Sequence, residues 1–148
     1  MIVNKLIIFN FVVMLFLSGC ASTSLLEKVE IEGFEISLDK QKCLLAVDNK
    51  SLKIQMTSMC HFVKNSNTST IRVKYYDDID SHVLLIVGTS SPKNPEYPLT
   101  IKRNDCGSQL QALIIKKTGS SLSSKILSNT LTCAGIGVDE KDFYILSH

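Results

Sequence analysis

Apolar and polar residues alternate with a period of two over much of the chain beyond residue 28, the pattern of strands with one face on a core. Val29 and Ile31, then Phe34, Ile36 and Leu38, interleave with Glu30, Glu32, Glu35 and Ser37. The phase shifts at Gly33, where a β-bulge is expected. Cys43–Val47 and Leu52–Met56 flank Asp48-Asn49-Lys50-Ser51 and predict a hairpin with Leu52, Ile54 and Met56 on one face. Residues Lys64 to Ser69 are polar and read as a loop. Ile71, Val73 and Tyr75 alternate with Arg72, Lys74 and Tyr76, so the adjacent tyrosines fall on opposite faces, one toward the core and one at the surface. An acidic turn, Asp77-Asp78-Ile79-Asp80, leads into Val83–Val87. That run is apolar throughout, as in a central strand covered on both faces.

The second half is less regular. Ser90 to Pro98 contains all three prolines and predicts an irregular loop. Leu99–Lys102 and Leu110–Lys116 read as strands. Ser120–Cys133 supports two readings: Leu122, Ile126 and Leu127 suit a helix, whereas Leu127, Leu131 and Cys133 suit a strand. Asp139 and Asp142 suit the cap of one short helical turn, and Phe143–Leu146 reads as a closing strand. The expected fold is mainly β, a small antiparallel sandwich or barrel in one domain over 29–148. The alternative is an α+β arrangement with a short helix near 120–133.

The first twenty residues follow a different pattern. One positive charge, Lys5, precedes the apolar run Leu6–Leu17, which only Asn10 interrupts. That run falls short of the roughly 20 residues a membrane-crossing helix needs and fits the core of a signal peptide. It ends in Leu17-Ser18-Gly19-Cys20, which resembles the lipobox of bacterial lipoprotein precursors. The resemblance covers residues 1–21. It implies cleavage before Cys20 and acylation of that cysteine, which makes 1–19 a signal peptide and 20–28 a lipidated cysteine with a short tether. It also implies that the membrane is a partner through acyl chains, each buried CH₂ adding about 0.8 kcal/mol of attachment. In the enterobacterial pattern an Asp after the cysteine holds the protein at the inner membrane. Ala21 stands there, which implies the periplasmic face of the outer membrane.

Export to an oxidising compartment leaves Cys43, Cys60, Cys106 and Cys133 as an even set, for which two disulfides are the default. Three connectivities are open. Cys43 with Cys60 and Cys106 with Cys133 is favoured because each pair closes a local loop, stabilising by roughly 3 kcal/mol in the chain-entropy model. No close Cys pair has zinc-ligand spacing, so neither a metal nor a cofactor is expected.

A net charge of +2, without dense Lys/Arg stretches, argues against nucleic acid as a partner. No G-x-S-x-G elbow accompanies the three histidines His61, His82 and His148. Asp77, Asp78 and Asp80 lack the Gly and distant Glu of an EF-hand and read as a solvated turn. Cys133-Ala134-Gly135-Ile136-Gly137-Val138 reads as a turn around a disulfide, not a phosphate loop. Pro92, Pro95 and Pro98 stiffen a loop that presents Tyr97, and a stiff aromatic loop loses little entropy on binding. Pro92, Pro95 and Tyr97 are therefore the candidate contacts for a protein partner. The sequence-level expectation is a membrane-anchored, non-enzymatic protein-binding module of the envelope, of inhibitor or immunity type or an accessory subunit of an envelope machine. An envelope hydrolase with an unorthodox site is the alternative.

Overall fold

The phase shift at Gly33 is a hairpin turn and not a bulge. Residues that face each other across a two-residue turn have opposite parity, so an apolar face continues through the turn only if the phase changes there. Ile31 pairs with Phe34 and Val29 with Ile36, while Glu32 and Gly33 take φ of 52° and 81°. Strands β1 (Leu26–Ile31) and β2 (Phe34–Asp39) result. The same device recurs at Asp48 and Asn49, with φ of 48° and 64°, between β3 (Leu44–Val47) and β4 (Lys50–Lys53). The expected hairpin therefore forms with a shorter turn. Its second strand leaves the sheet after Lys53, although Ile54 and Met56 stay buried. These strands make a four-stranded antiparallel meander in the order β1-β2-β3-β4.

The computed structural model describes residues 25–57, 59–90 and 104–148. Over them the chain is mainly β, with a second, six-stranded antiparallel sheet built on one long ribbon. Strands β7 (Ser81–Ser90) and β8 (Cys106–Lys116) pair from His82↔Ile115 to Ser90↔Gly107. Each outer edge of the ribbon is covered by two short strands in succession. Along β7 lie β5 (His61–Phe62), opposite Val87 and Ile86, and β6 (Val73–Tyr76), opposite Leu84 to Ser81. Between them residues 64–69 make a polar loop, as expected, closed by a bridge between Lys64 and Ile71. Along β8 lie β9 (Gly119–Leu122) and β10 (Leu127–Cys133). The segment with two sequence readings is thus two strands and not a helix near 120–133. Ser123 holds the break between them: its N–H donates to the Ala112 carbonyl and its Oγ accepts from the Ala112 N–H, at 2.8 and 3.0 Å. Buried Gln111 donates to the Ser123 carbonyl and accepts from the Gln55 N–H, which ties this break to the end of the first sheet.

The apolar run Val83–Val87 is buried on both faces. Leu84 and Ile86, with Leu113 and Ile115, meet Ile36, Leu38, Leu45 and Val47 of the first sheet in one core. Val83, Leu85 and Val87, with Leu110 and Ala112, face the other way onto helix α1 (Glu140–Ser147) through Phe143 and Leu146. The arrangement is sandwich-like, with a helix on the outer face of the ribbon. Neither sheet closes into a barrel among the described residues. Phe143–Leu146 is helical where a closing strand is expected. Its two buried residues are three apart, one helical turn, and Asp139 caps the start by accepting from the Lys141 N–H at 3.2 Å.

Both favoured disulfides are present, Cys43–Cys60 and Cys106–Cys133, and they do different work. Cys43 lies in the β2–β3 turn and Cys60 just before β5, so the first bond joins the two sheets. Cys106 and Cys133 are direct partners in the β8–β10 ladder, so the second lies within one sheet. The first sheet begins at Leu26, so the last three residues of the span expected as tether belong to β1. Residues 1–24, Cys20 among them, lie outside the described residues, as do the expected strand Leu99–Lys102 and the loop carrying Pro92, Pro95 and Tyr97. Among the described residues no helix is long and apolar enough to cross a membrane.

Candidate functional site

The alternation that builds β6 sends Arg72, Lys74 and Tyr76 toward α1. The Arg72 guanidinium lies 4.9 Å from the Phe143 ring centroid, donates to the Val138 carbonyl at 2.7 Å and pairs with Glu140. Lys74 takes the other Glu140 oxygen. The Lys74 hydrogen bond, aided by the charge of Arg72, holds the Glu140 carboxyl below its ordinary range against a smaller opposing effect of desolvation. Further along, Tyr76 meets Tyr144 and His148 edge-on, with centroids 6.1 and 5.2 Å away, and Tyr144 stacks on His148 at 4.1 Å. Burial raises the Tyr76 phenol above its ordinary value.

Tyr75 points to the other face of β6, so the adjacent tyrosines divide between core and surface as their spacing requires. Its hydroxyl donates to Asp80 at 2.7 Å, and that bond pushes the phenol up to about 12. The Tyr75 ring lies 4.8 Å from His82. With Tyr144 at 52% exposure and Ile145 also exposed, the surface between β6 and α1 presents a ring that neighbours already hold in place, while Tyr75, at 46%, and Val73 are exposed on the opposite face of β6. Rings so held lose little freedom on contact with a partner.

One arrangement here has the outline of a hydrolytic relay. Ser147 Oγ lies 2.9 Å from His148 Nδ1, and His148 Nε2 lies 2.9 Å from Asp78. The hydrogen bonds give these groups another role. Nδ1 also faces the Tyr144 carbonyl at 3.1 Å, and a carbonyl only accepts, so Nδ1 carries a proton there and has no lone pair for the serine. The Ser147 hydroxyl instead donates to the Phe143 carbonyl at 2.7 Å and closes the helix C-terminus. Asp78 and His148 stand seventy positions apart in the chain, and nothing in their spacing joins them.

Three further polar features among the described residues are internally compensated. An open pocket of about 410 Å³ lies between the β5–β6 loop and Ile136–Val138, with Lys64 and Arg72 in its wall. Lys64 pairs with Glu27 at 2.9 Å, and the second Glu27 oxygen accepts from the Phe62 N–H at the edge of β5. Asp105, Cys106 and Cys133 present ligand-type atoms within 4.8 Å, but the sulfurs are bonded to each other and Asp105 accepts from the Gly135 N–H at 2.8 Å. That bond shapes the turn after Cys133, the role expected for residues 133–138. His61 reaches the Asn104 carbonyl at 3.1 Å, and burial lowers its pKa below 6.5. No protein-family model, curated protein or solved structure matches this chain.

Proposed function

We propose that this chain is a lipid-anchored envelope protein whose domain is a non-enzymatic protein-binding module at the periplasmic face of the outer membrane. It acts either as an inhibitor or immunity-type protein or as an accessory subunit of an envelope or secretion machine. The observation that carries the binding role is the surface between β6 and α1, where exposed Tyr144 is held by the stack on His148 and the edge of Tyr76. The anchor rests on the lipobox-like Leu17-Ser18-Gly19-Cys20, and the two disulfides fit an oxidising compartment. The hydrolase alternative draws on Ser147, His148 and Asp78, and it is weaker because the serine proton is committed to a backbone carbonyl.

The test is a photo-crosslinking residue placed in the full chain in cells, at Tyr144 in one strain and at Ser51, on the outer face of the first sheet, in another. A single discrete protein adduct from Tyr144 and none from Ser51 is the expected result. No adduct at Tyr144, together with turnover of peptidoglycan or peptide by the purified chain that Ser147→Ala abolishes, would reverse the reading.

A further inference from the structure

Four of the large apolar side chains that the described residues expose gather at one end of the first sheet. They are Leu25, Leu26, Leu44 and Met59, with exposures of 51, 43, 56 and 37%. The register accounts for the gathering. Leu26, Asp39, Leu44 and Lys53 are successive direct partners across the four strands and share the outer face, which puts Leu26 and Leu44 two strand spacings, about 10 Å, apart. The Lys40 N–H donates to the Leu25 carbonyl and the Cys60 N–H to the Lys40 carbonyl, each at 2.8 Å, which brings Met59 to the same end. The Cys43–Cys60 bond fixes the turn to the sheet behind it.

Charge divides along the same axis. Lys40 and Lys42 lie in the turn that leads into Leu44 and Lys53 is the direct partner of Leu44, while the carboxylate in the same row, Asp39, is engaged by the N–H groups of Gln41 and Lys42, both at 3.0 Å. The opposite end of the sheet carries Glu30 directly across from Glu35, the turn residue Glu32, and Asp48, with Lys28 and Lys50 on the strands behind them. An apolar, basic end and a more acidic end match a surface of phosphate headgroups over hydrocarbon. The tether length says which surface. Five Cα steps separate Cys20 from Leu25, a reach of at most about 17 Å, against a radius of gyration of about 13 Å for a domain of this size.

We infer that the Leu26–Leu44 end of the first sheet docks on the phospholipid surface in which Cys20 is anchored, with leucine side chains among the headgroups and lysines on phosphates. The acidic end then points away from the membrane. This inference rests on the lipid-anchor reading of the sequence, and the test separates the two.

The acylated full chain is placed in nanodiscs of phosphatidylcholine with phosphatidylglycerol, a fraction of the lipids carrying a headgroup nitroxide, and methyl signals are recorded. Leu26, Leu44 and Met59 should lose most of their intensity, while Leu131 and Ile136, equally exposed elsewhere, keep theirs. Leu44→Glu should reduce the attenuation at Leu26 and Met59 several-fold, and Leu131→Glu should leave it unchanged. Equal attenuation at all five methyl-bearing residues, or an unaltered pattern in Leu44→Glu, overturns the docking while the anchor stands if Cys20 carries acyl chains. A bare Cys20 overturns both.

Discussion

The leucine end of the first sheet and the aromatic surface between β6 and α1 both leave apolar groups in water, but they are made from different side chains on different supports. The first consists of aliphatic side chains and lysines beside a disulfide that joins two sheets. The second consists of rings held by stacking and edge-on contacts over a helix of eight residues that is seated by Phe143 and Leu146. Aliphatic chains with lysines suit a fluid surface that demands little shape, whereas fixed rings suit a partner with a shape of its own. The two surfaces should therefore respond to different perturbations.

Phe143→Ala separates them most strongly. Removing a fully buried ring should cost about 3–5 kcal/mol. Hydrogen exchange should rise across Glu140–Ser147 far more than across β1 to β4. Uniform acceleration would mean that the two surfaces share one cooperative unit. The disulfides come next, at about 3 kcal/mol each by loop size. Replacing Cys43 and Cys60 by alanine should speed exchange in the Lys40–Leu44 turn, whereas replacing Cys106 and Cys133 should leave that turn protected. Equal effects on the turn would deny the cross-sheet bond its supporting role.

Gln111→Leu probes the link between the two halves. It leaves the Gln55 N–H and the Ser123 carbonyl without their partner and should cost about 1–3 kcal/mol in denaturant unfolding. An unchanged midpoint would remove that link. A smaller effect lies at His61. Burial lowers its folded-state pKa below 6.5, so below about pH 6.5 the unfolded chain binds more protons and the folded state loses stability as pH falls. His61→Gln should flatten that part of the melting-temperature profile, and a profile no flatter than the parent's would contradict the assignment. Glu140→Gln should have the smallest effect, below about 1 kcal/mol, because its pairs with Arg72 and Lys74 are solvated. A loss of several kcal/mol would show that the helix depends on them.

Much of this fold was legible in the residues. Alternation in Val29–Leu38 and Ile71–Tyr76 found strands because a period of two has a single structural meaning, and the unbroken Val83–Val87 run announced burial on both sides. What covers those sides was not legible. The short helix carries only two buried residues, too few to separate a period of 3.6 from a strand in Phe143–Leu146. The Gly33 shift fitted a bulge as well as a turn until pairing was known. Ser120–Cys133 stayed open because Ser123 uses its side chain where a strand would use its backbone. At the site, tyrosine parity was readable, but the meeting of Asp78 with His148 and the row Leu26, Asp39, Leu44 and Lys53 depend on register across the sheets.

The lipid anchor proposed at residue 20 is tested most directly by the mass of the N-terminal peptide from protein isolated from its native envelope. The predicted peptide starts at Cys20 and carries a diacylglyceryl thioether. A peptide that retains residues 1–19, or a Cys20 of unmodified mass, would contradict it.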